Sequence, residues 1–285
     1  MKIHKAVIPI AGKGTRLLPL TGVLPKALFP LVERNKGIRA VLHVLLERLY
    51  EAGIEDIAVI ISPGQEKMVR DYVKIARAND GLSLPSDIHF IEQEQALGFG
   101  DAVFQTREFV GSDPFVLLLG DHIQEPGKGA KPCLLQVIEA FERIECKAMI
   151  GVHDVEESVL DTVGIAAGVT VEDRIYRCVD FMEKPGIANA RKRLKTVGIS
   201  NDRYLGHCGI YVLGAEIFDC LALERERSLK EGAEIELAAA QEMLLRQYPE
   251  EYYLYWIEGR AYDMGHVQAY LETLMAIGGT RDVAE

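Results

Sequence analysis

The chain has 285 residues, of which 48% are hydrophobic and 26% are charged. This is an ordinary globular composition, and no apolar run reaches the roughly 18 residues that a membrane-spanning helix needs. The formal net charge of −11 argues against a duplex-binding protein, which would carry a broad basic face. Small anionic ligands are compatible with this charge, since they need only a few local cations, backbone amides or a metal ion.

The N-terminal residues show no signal-peptide pattern, because they lead directly into an apolar strand that no small-residue cleavage site follows. Five cysteines are scattered along the chain and form no C-x-x-C pair: Cys133, Cys146, Cys178, Cys208 and Cys220. An odd number at irregular spacing indicates neither a disulfide framework nor a zinc site. We therefore expect small buried thiols in a protein of the reducing cytoplasm.

The first half of the chain alternates between strand and helix patterns. Strands are predicted over 4–11, 56–61, 87–92 and 114–120, and helices over 37–52, 65–77 and 98–108. Continuous apolar strands that alternate with helices indicate a parallel sheet covered on both faces. Because ligands of such sheets bind beyond the carboxyl ends of the strands, the loop after the first strand and Asp121 should lie at the same edge.

The second half is more mixed. Its patterns predict strands over 146–152 and 208–214, an antiparallel excursion over 164–182 that turns near 172–173, and helices over 214–222, 234–247 and 266–277. No repeat, low-complexity tract or linker is evident. One core with a smaller appended lobe fits this organisation better than two independent domains.

The loop of residues 12–16 (GKGTR) follows the first strand. Glycines here allow the backbone to approach a phosphate, although a tight turn needing positive φ would also explain them. A Rossmann dinucleotide site would have a third glycine where Leu17 stands, and a P-loop would have Gly-Lys-Ser/Thr after four spacer residues. Neither is present. Arg16 and Lys26 bring two cations to the loop, which favours an anion-binding site.

Residues 11–21 (AGKGTRLLPLT), followed by Pro25-Lys26, resemble the signature of the sugar-1-phosphate nucleotidyltransferases, and most of all the bacterial UTP–glucose-1-phosphate uridylyltransferases. The resemblance continues in the family's order over nearly the whole chain. Its further segments are residues 93–100, 119–121, 163–165, 182–185, 209–213, 232–237 and 262–265. Seven ordered segments are far more specific than a single motif.

The resemblance implies a Rossmann-like α/β fold with a mainly parallel sheet flanked by helices, as in glycosyltransferase-A-like proteins, and a small antiparallel excursion on the sugar side. It implies a single domain over 1–285, with a nucleotide-binding part over 1–125 and a sugar-binding and C-terminal part over 126–285. The implied reaction transfers a uridylyl group from UTP to glucose 1-phosphate, giving UDP-glucose and pyrophosphate. A homodimer or homotetramer that binds neither nucleic acid nor a membrane is expected.

The resemblance also implies roles for individual residues. Mg²⁺ would be bound by Asp121 and Asp263, and the catalytic groups would be Arg16, Lys26, Asp121 and Lys184. The nucleotide would contact Ala11, Gly12, Gly14, Thr15, Gln93 and Gly98, with the Gln93 carboxamide offering a donor and an acceptor to a pyrimidine edge. The sugar phosphate would contact Gly164, Glu183, Lys184 and Gly209.

Each of these residues has a simpler interpretation when taken alone. A single aspartate before a turn is usually a cap, and Glu183 and Lys184 would form a weak surface ion pair. His122, His207 and Cys208 have no partner at the spacing of a zinc site or a nucleophile dyad.

The chain departs from the family pattern at Ala27–Pro30, at residues 33–37, at His122 and at His266. These departures leave two alternatives open: a relative that uses dTTP or another hexose 1-phosphate, and a catalytically weak regulatory paralogue. An NAD-dependent Rossmann protein is disfavoured because the third glycine is missing.

Overall fold

The computed structural model describes residues 2–33, 36–79, 84–85 and 87–278. Its strands are β1 (Lys5–Pro9), β2 (Pro30–Glu33), β3 (Gly37–Ala40), β4 (Asp56–Ile61), β5 (Asp87–Glu92), β6 (Phe115–Leu118), β7 (His122–Pro126), β8 (Ala148–Glu156), β9 (Gly164–Glu172), β10 (Ile175–Glu183), β11 (Arg203–Leu213), β12 (Tyr252–Trp256) and β13 (Gly259–Asp263). Its helices are α1 (Val41–Glu51), α2 (Glu66–Asn79), α3 (Phe99–Phe104), α4 (Arg107–Val110), α5 (Cys133–Arg143), α6 (Gly186–Arg193), α7 (Ile217–Glu231), α8 (Leu237–Gln247) and α9 (Val267–Gly278).

A nine-stranded sheet in the order β5-β4-β1-β6-β11-β8-β12-β10-β9 forms the centre of the molecule. Strands β5, β4, β1 and β6 are parallel, whereas β11 pairs antiparallel with β6 and β8. The α/β fold expected from the strand–helix alternation is therefore confirmed. The predicted antiparallel excursion is the hairpin β9–β10.

The central strands are apolar throughout because both of their faces are covered. Along β1, Ala6 and Ile8 belong to one buried cluster, while Val7 between them belongs to the cluster on the opposite face. Alternate side chains of a strand point to opposite faces of the sheet, so a strand covered on both sides must be apolar at every position. A third, smaller cluster packs under the hairpin β9–β10.

The helix predicted over 37–52 was wrong over its first four residues. Residues 37–40 form β3, which pairs antiparallel with β2, and α1 begins only at Val41. Arg39 on β3 is 3% exposed and binds Glu33 and Glu47, so a buried ion-pair cluster fixes this short hairpin. Within the departing run 33–37, residues 34 and 35 lie outside the described residues.

The helix predicted over 98–108 is divided into α3 and α4, and the Thr106 hydroxyl donates to the Val103 carbonyl at the break. The structure adds β7, β13, α5 and α6, which no sequence pattern had indicated. All five cysteines are buried and unpaired, as expected. Within the described residues, no helix has the length and apolar content needed to cross a membrane.

Candidate active site

Two adjoining cavities open at the carboxyl edge of the parallel strands. The loop cavity, of about 440 Å³, lies against residues 9–15, and the hairpin cavity, of about 320 Å³, lies against the end of β10. They share Phe99, Leu119, Asp121 and Glu234. The expectation that residues 12–16 and Asp121 meet at one edge is therefore confirmed.

The loop cavity brings together the six residues that the resemblance assigned to the nucleotide: Ala11, Gly12, Gly14, Thr15, Gln93 and Gly98. Gly14 adopts φ +59°, and a Cβ there would lie 2.8 Å from the Thr21 methyl group. The Thr21 hydroxyl donates to the Gly14 carbonyl over 2.8 Å. The turn thus needs a glycine, and it holds the backbone close to Lys26.

Gln93 differs from its sequence-based interpretation. Its amide nitrogen donates to the Gly98 carbonyl at 3.0 Å and to the Asp101 carboxylate at 2.9 Å. Both partners are acceptors, so they fix which end of the carboxamide is the nitrogen. Only the amide oxygen remains for a ligand, so the side chain offers an acceptor rather than a donor and an acceptor.

Gly98 is held in place by a segment far along the chain. Its φ is +118°, and a Cβ there would meet the Ile235 carbonyl oxygen at 2.5 Å. The Ile235 amide donates to the Leu97 carbonyl at 2.7 Å, and the Gly100 amide donates to the Ile235 carbonyl at 2.8 Å. These hydrogen bonds give a physical reason for the motif at residues 232–237, because this segment fixes the loop that carries Gly98.

Asp121 stands where the two cavities join. The Lys26 ammonium donates to its Oδ2 atom, and Nδ1 of His122 lies 3.0 Å from its Oδ1 atom. Asp263 is the last residue of β13, which pairs with β7 so that Asp263 lies opposite His122. Ligand atoms of Asp121, His122 and Asp263 all lie within 4.8 Å of one another.

The charged groups of this cluster shift the pKa values of Asp121 and His122. Burial opposes ionisation of Asp121, but the hydrogen bond and charge of His122 and the charge of Lys26 lower its pKa overall. Burial likewise opposes protonation of His122, yet Asp121 and Asp263 raise its pKa. The two carboxylates supply the oxygen ligands that fit a divalent cation such as Mg²⁺. The Gly265 amide donates to Oδ1 of Asp263 over 2.6 Å and so orients that carboxylate.

The hairpin cavity contains Gly164, Glu183 and Lys184 together with Arg16 and Asp263. Lys184 has an unusual φ of +45°, and its ammonium lies 3.2 Å from Oε1 of Glu183. Both side chains are 47% exposed, so this ion pair contributes little to stability and leaves both groups accessible to a ligand. Arg16 projects to this cavity rather than to the loop cavity.

Gly209 is placed differently from the expectation that it contacts the sugar. It lies outside the linings of both cavities, and a Cβ there would lie 2.7 Å from Cβ of His122. It adopts φ +81° inside an irregularity of β11, where the pairing with β8 shifts between His207 and Tyr211. Gly209 therefore supports His122 and gives the imidazole room beside Asp121.

His122 and His207 are the functional candidates that the sequence reasoning passed over. Both line the hairpin cavity, and each has a neighbour from a distant strand as well as one nearby in the chain: Asp263 for His122, and Phe181 for His207. The usable signal was the departure from the family pattern at His122. For His207 the sequence carried no comparable signal.

The chain belongs to the nucleotidyl transferase family, whose model matches residues 5–279. It is 32% identical to UTP–glucose-1-phosphate uridylyltransferase 2 of Staphylococcus saprophyticus, over 95% of this chain and 91% of that protein. It is 31% identical to the UTP–glucose-1-phosphate uridylyltransferase of Bacillus subtilis, over 96% and 90% of the two chains.

Solved structures show the same fold. A UDP-glucose pyrophosphorylase complexed with UDP-glucose superimposes with a TM-score of 0.77 at 23% identity, covering 96% of this chain and 98% of that one. The UTP-bound enzyme of Acinetobacter baumannii superimposes with a TM-score of 0.74 at 25% identity, over 97% and 96% of the chains.

Proposed function

We propose that this protein is a UTP–glucose-1-phosphate uridylyltransferase, which forms UDP-glucose and pyrophosphate. The observation that carries the proposal is that two adjoining cavities, one against a glycine-rich loop and one against Glu183 and Lys184, share Asp121. Relatives named for this reaction cover almost the whole chain. The triphosphate would occupy the loop cavity and the sugar phosphate the hairpin cavity.

The reaction is an in-line attack of a sugar-phosphate oxygen on the α-phosphorus of the nucleotide, with pyrophosphate leaving. A phosphate monoester has a second pKa of about 6, so the nucleophile arrives deprotonated and the site needs no general base. Catalysis then depends on positioning two polyanions and neutralising their charge. Lys26, which lines the loop cavity, suits the triphosphate, and Arg16 and Lys184, which line the hairpin cavity, suit the sugar phosphate.

The magnesium ion expected from the family fits the cluster at the cavity junction. Asp121 and Asp263 would hold it, because Mg²⁺ prefers one or two carboxylates together with phosphate oxygens. When bound, the ion would neutralise phosphate charge between the two substrates. Lys26 pairs with Asp121 and lines the loop cavity, so its ammonium lies beside the position proposed for the triphosphate.

The amide oxygen of Gln93 is a hydrogen-bond acceptor, and it favours a pyrimidine base that carries an N–H donor at N3. Uracil and thymine carry an N–H there, whereas cytosine carries a bare nitrogen, so CTP would face the Gln93 oxygen with a second acceptor. The same contact accepts UTP and dTTP alike. Discrimination between those two rests on a methyl group and a 2′-hydroxyl, and a methyl group is worth only about 1–3 kcal/mol.

We further propose that the protein acts in the cytoplasm as a homodimer or homotetramer. Five buried, unpaired thiols support a reducing compartment. Light scattering coupled to size-exclusion chromatography tests the assembly, and a monomer at micromolar concentration would contradict it.

The direct test is pyrophosphate release measured with UTP, dTTP, CTP and ATP against glucose, galactose and mannose 1-phosphates, with and without Mg²⁺. We expect the fastest turnover for UTP with glucose 1-phosphate, and none without a divalent cation. The Asp121→Asn variant serves as the inactive control. Tight nucleotide binding without turnover of any pair would overturn the proposal in favour of a regulatory paralogue.

A further inference from the structure

His207 is a buried side chain of the hairpin cavity that the proposed reaction does not use. It is 7% exposed and lies on β11 between two aromatic rings. The Phe181 ring is 5.9 Å away and tilted, and the Tyr211 ring is 5.8 Å away and nearly perpendicular. The imidazole is thus fixed by packing at the wall of the cavity.

The two ring nitrogens of His207 have different surroundings. Nε2 is buried and has no hydrogen-bond partner within the described residues. Burial lowers the pKa of His207 to about 4, so the ring is neutral near pH 7 and carries one proton. A buried N–H without an acceptor is among the costliest defects in a protein, so the proton belongs on Nδ1 and Nε2 remains bare.

Nδ1 faces the surface of Gly164, opposite the carboxylate of Glu183. The point where a Cβ of residue 164 would sit lies 2.9 Å from Nδ1 of His207 and 2.9 Å from Oε2 of Glu183. A side chain at residue 164 would crowd both atoms, and the glycine leaves them unobstructed. The two atoms are at most about 5.8 Å apart, so one hydroxyl oxygen lying further into the cavity can bridge them with two hydrogen bonds of about 2.9 Å each.

We propose that His207 and Glu183 together bind one hydroxyl group of the hexose. Nδ1–H of His207 donates a hydrogen bond to the hydroxyl oxygen, and the Glu183 carboxylate accepts a hydrogen bond from the hydroxyl. The proposal rests on the proposed function and adds a specificity-determining residue to it. A sugar without that hydroxyl would leave both protein groups unpaired, and an epimer would place its hydroxyl out of reach. Sites that hydrogen-bond a substrate hydroxyl reject the analogue that lacks it.

The kinetic test compares His207→Phe with His153→Phe. Phenylalanine keeps a ring between Phe181 and Tyr211 but removes Nδ1–H. His153 on β8 is a matched control, because its pKa is also lowered to about 4 by burial but it does not line the hairpin cavity. We expect His207→Phe to raise KM for glucose 1-phosphate about tenfold, the effect of one lost hydrogen bond of about 1.4 kcal/mol, with KM for UTP unchanged. His153→Phe should change neither constant.

KM measured with glucose 1-phosphates that lack the 2-, 3-, 4- or 6-hydroxyl distinguishes a lost hydrogen bond to the sugar from a change in packing around residue 207. For one analogue the wild type and His207→Phe should have equal KM values, because the bridged hydroxyl is already missing. For the other analogues the tenfold difference should persist. An unchanged KM for glucose 1-phosphate, or the same loss with every analogue, would overturn the proposal.

A second measurement uses the unmodified chain. With ¹⁵N-labelled histidine, the His207 signals should show the Nδ1–H tautomer, and adding glucose 1-phosphate should shift Nδ1 more than Nε2. The Nε2–H tautomer, or no shift at saturating sugar phosphate, would contradict the assignment. Failure of the proposed function would appear separately, as wild-type protein that releases no pyrophosphate.

Discussion

Asp121 is the residue at which the two halves of the site meet. It lies directly beyond β6, lines both cavities, and binds Lys26 and His122. Because its pKa is lowered, the carboxylate stays ionised at any pH at which the protein would work. A permanent negative charge between two anionic substrates is repulsive unless cations accompany it, which explains the cluster of cationic groups around it.

Replacing Lys26 with alanine should lower kcat by tenfold or more, since losing a preorganised charge contact typically costs on the order of 100-fold. Pyrophosphate release at saturating substrates measures this. Lys5→Ala is the control, because Lys5 pairs with Asp113 at the other end of β1 and lines neither cavity. Turnover of Lys26→Ala equal to that of Lys5→Ala would refute the assigned role.

The buried histidines make stability depend on pH in a defined direction. His207 has a folded-state pKa of about 4, below the ordinary value of 6.5. As the pH falls below about 6.5, His207 becomes protonated in the unfolded chain but stays neutral in the folded chain. The free energy of unfolding therefore decreases until about pH 4. His122, whose pKa is raised, contributes with the opposite sign.

The variant His207→Phe isolates this contribution because the His122 effect cancels in the comparison. Between pH 6.5 and about pH 5, the variant should lose about 1.5 kcal/mol less stability than the wild type, because the slope rises from about half of 1.36 kcal/mol per pH unit at pH 6.5 to most of that value at pH 5. Urea unfolding at the two pH values measures the difference. Identical losses would show that the His207 pKa is not lowered in the folded protein.

At the scale of elements, one regular ladder and one local irregularity build the site. The ladder of β7 with β13 sets Asp263 opposite His122, and the irregularity in β11 sets Gly209 under the imidazole. Bulges turn side chains out of the regular alternation and are common beside active sites. Here the irregularity separates His207, on the wall of the hairpin cavity, from Gly209, beneath His122.

Gly209→Ala should disturb His122 and lower kcat at least tenfold, because the new methyl group would lie 2.7 Å from Cβ of His122. The backbone also has φ +81°, which costs an alanine about 1–2 kcal/mol. Gly129→Ala is the matched control: its φ is +82°, and a Cβ there meets nothing within 4 Å. Gly209→Ala should lose more stability than Gly129→Ala in urea unfolding, because it adds a steric overlap to the same backbone strain, and only Gly209→Ala should lose turnover per folded molecule. Full activity in Gly209→Ala would contradict this.

At the scale of the whole molecule, one sheet runs through both halves of the chain. Strand β6 of the first half pairs with β11 of the second, and β7 pairs with β13. The proposed boundary near residue 125 therefore cuts across the sheet and separates no structural unit. Separating the halves would expose the edges of β6 and β7 and the apolar faces beside them.

We predict that the chain unfolds as one cooperative unit. Circular dichroism and intrinsic fluorescence should give coincident urea transitions, since both faces of the sheet carry continuous buried clusters. A fragment of residues 1–125 should not fold alone. Two separated transitions, or a folded fragment, would show that the nucleotide and sugar parts are independent domains.

The sequence by itself determined the fold class and the reaction class. Apolar strands alternating with helices are a local pattern, and they predict a covered parallel sheet whose carboxyl edge carries the glycine-rich loop and Asp121. The ordered motifs add Glu183, Lys184 and Asp263. These signals are readable because short segments of chain encode them.

Only the tertiary structure decided which groups meet and which atoms they present. The acceptor of Gln93, the place of His122 beside Asp263, and the positions of His207 and Glu183 near Gly164 all depend on contacts between distant segments. Long-range pairing registers and bulges leave no trace in local periodicity, because the same alternation fits several registers. The ordered motifs that begin with the glycine-rich loop therefore identified the kind of reaction, and the folded chain decided which side chains lie together in the two cavities.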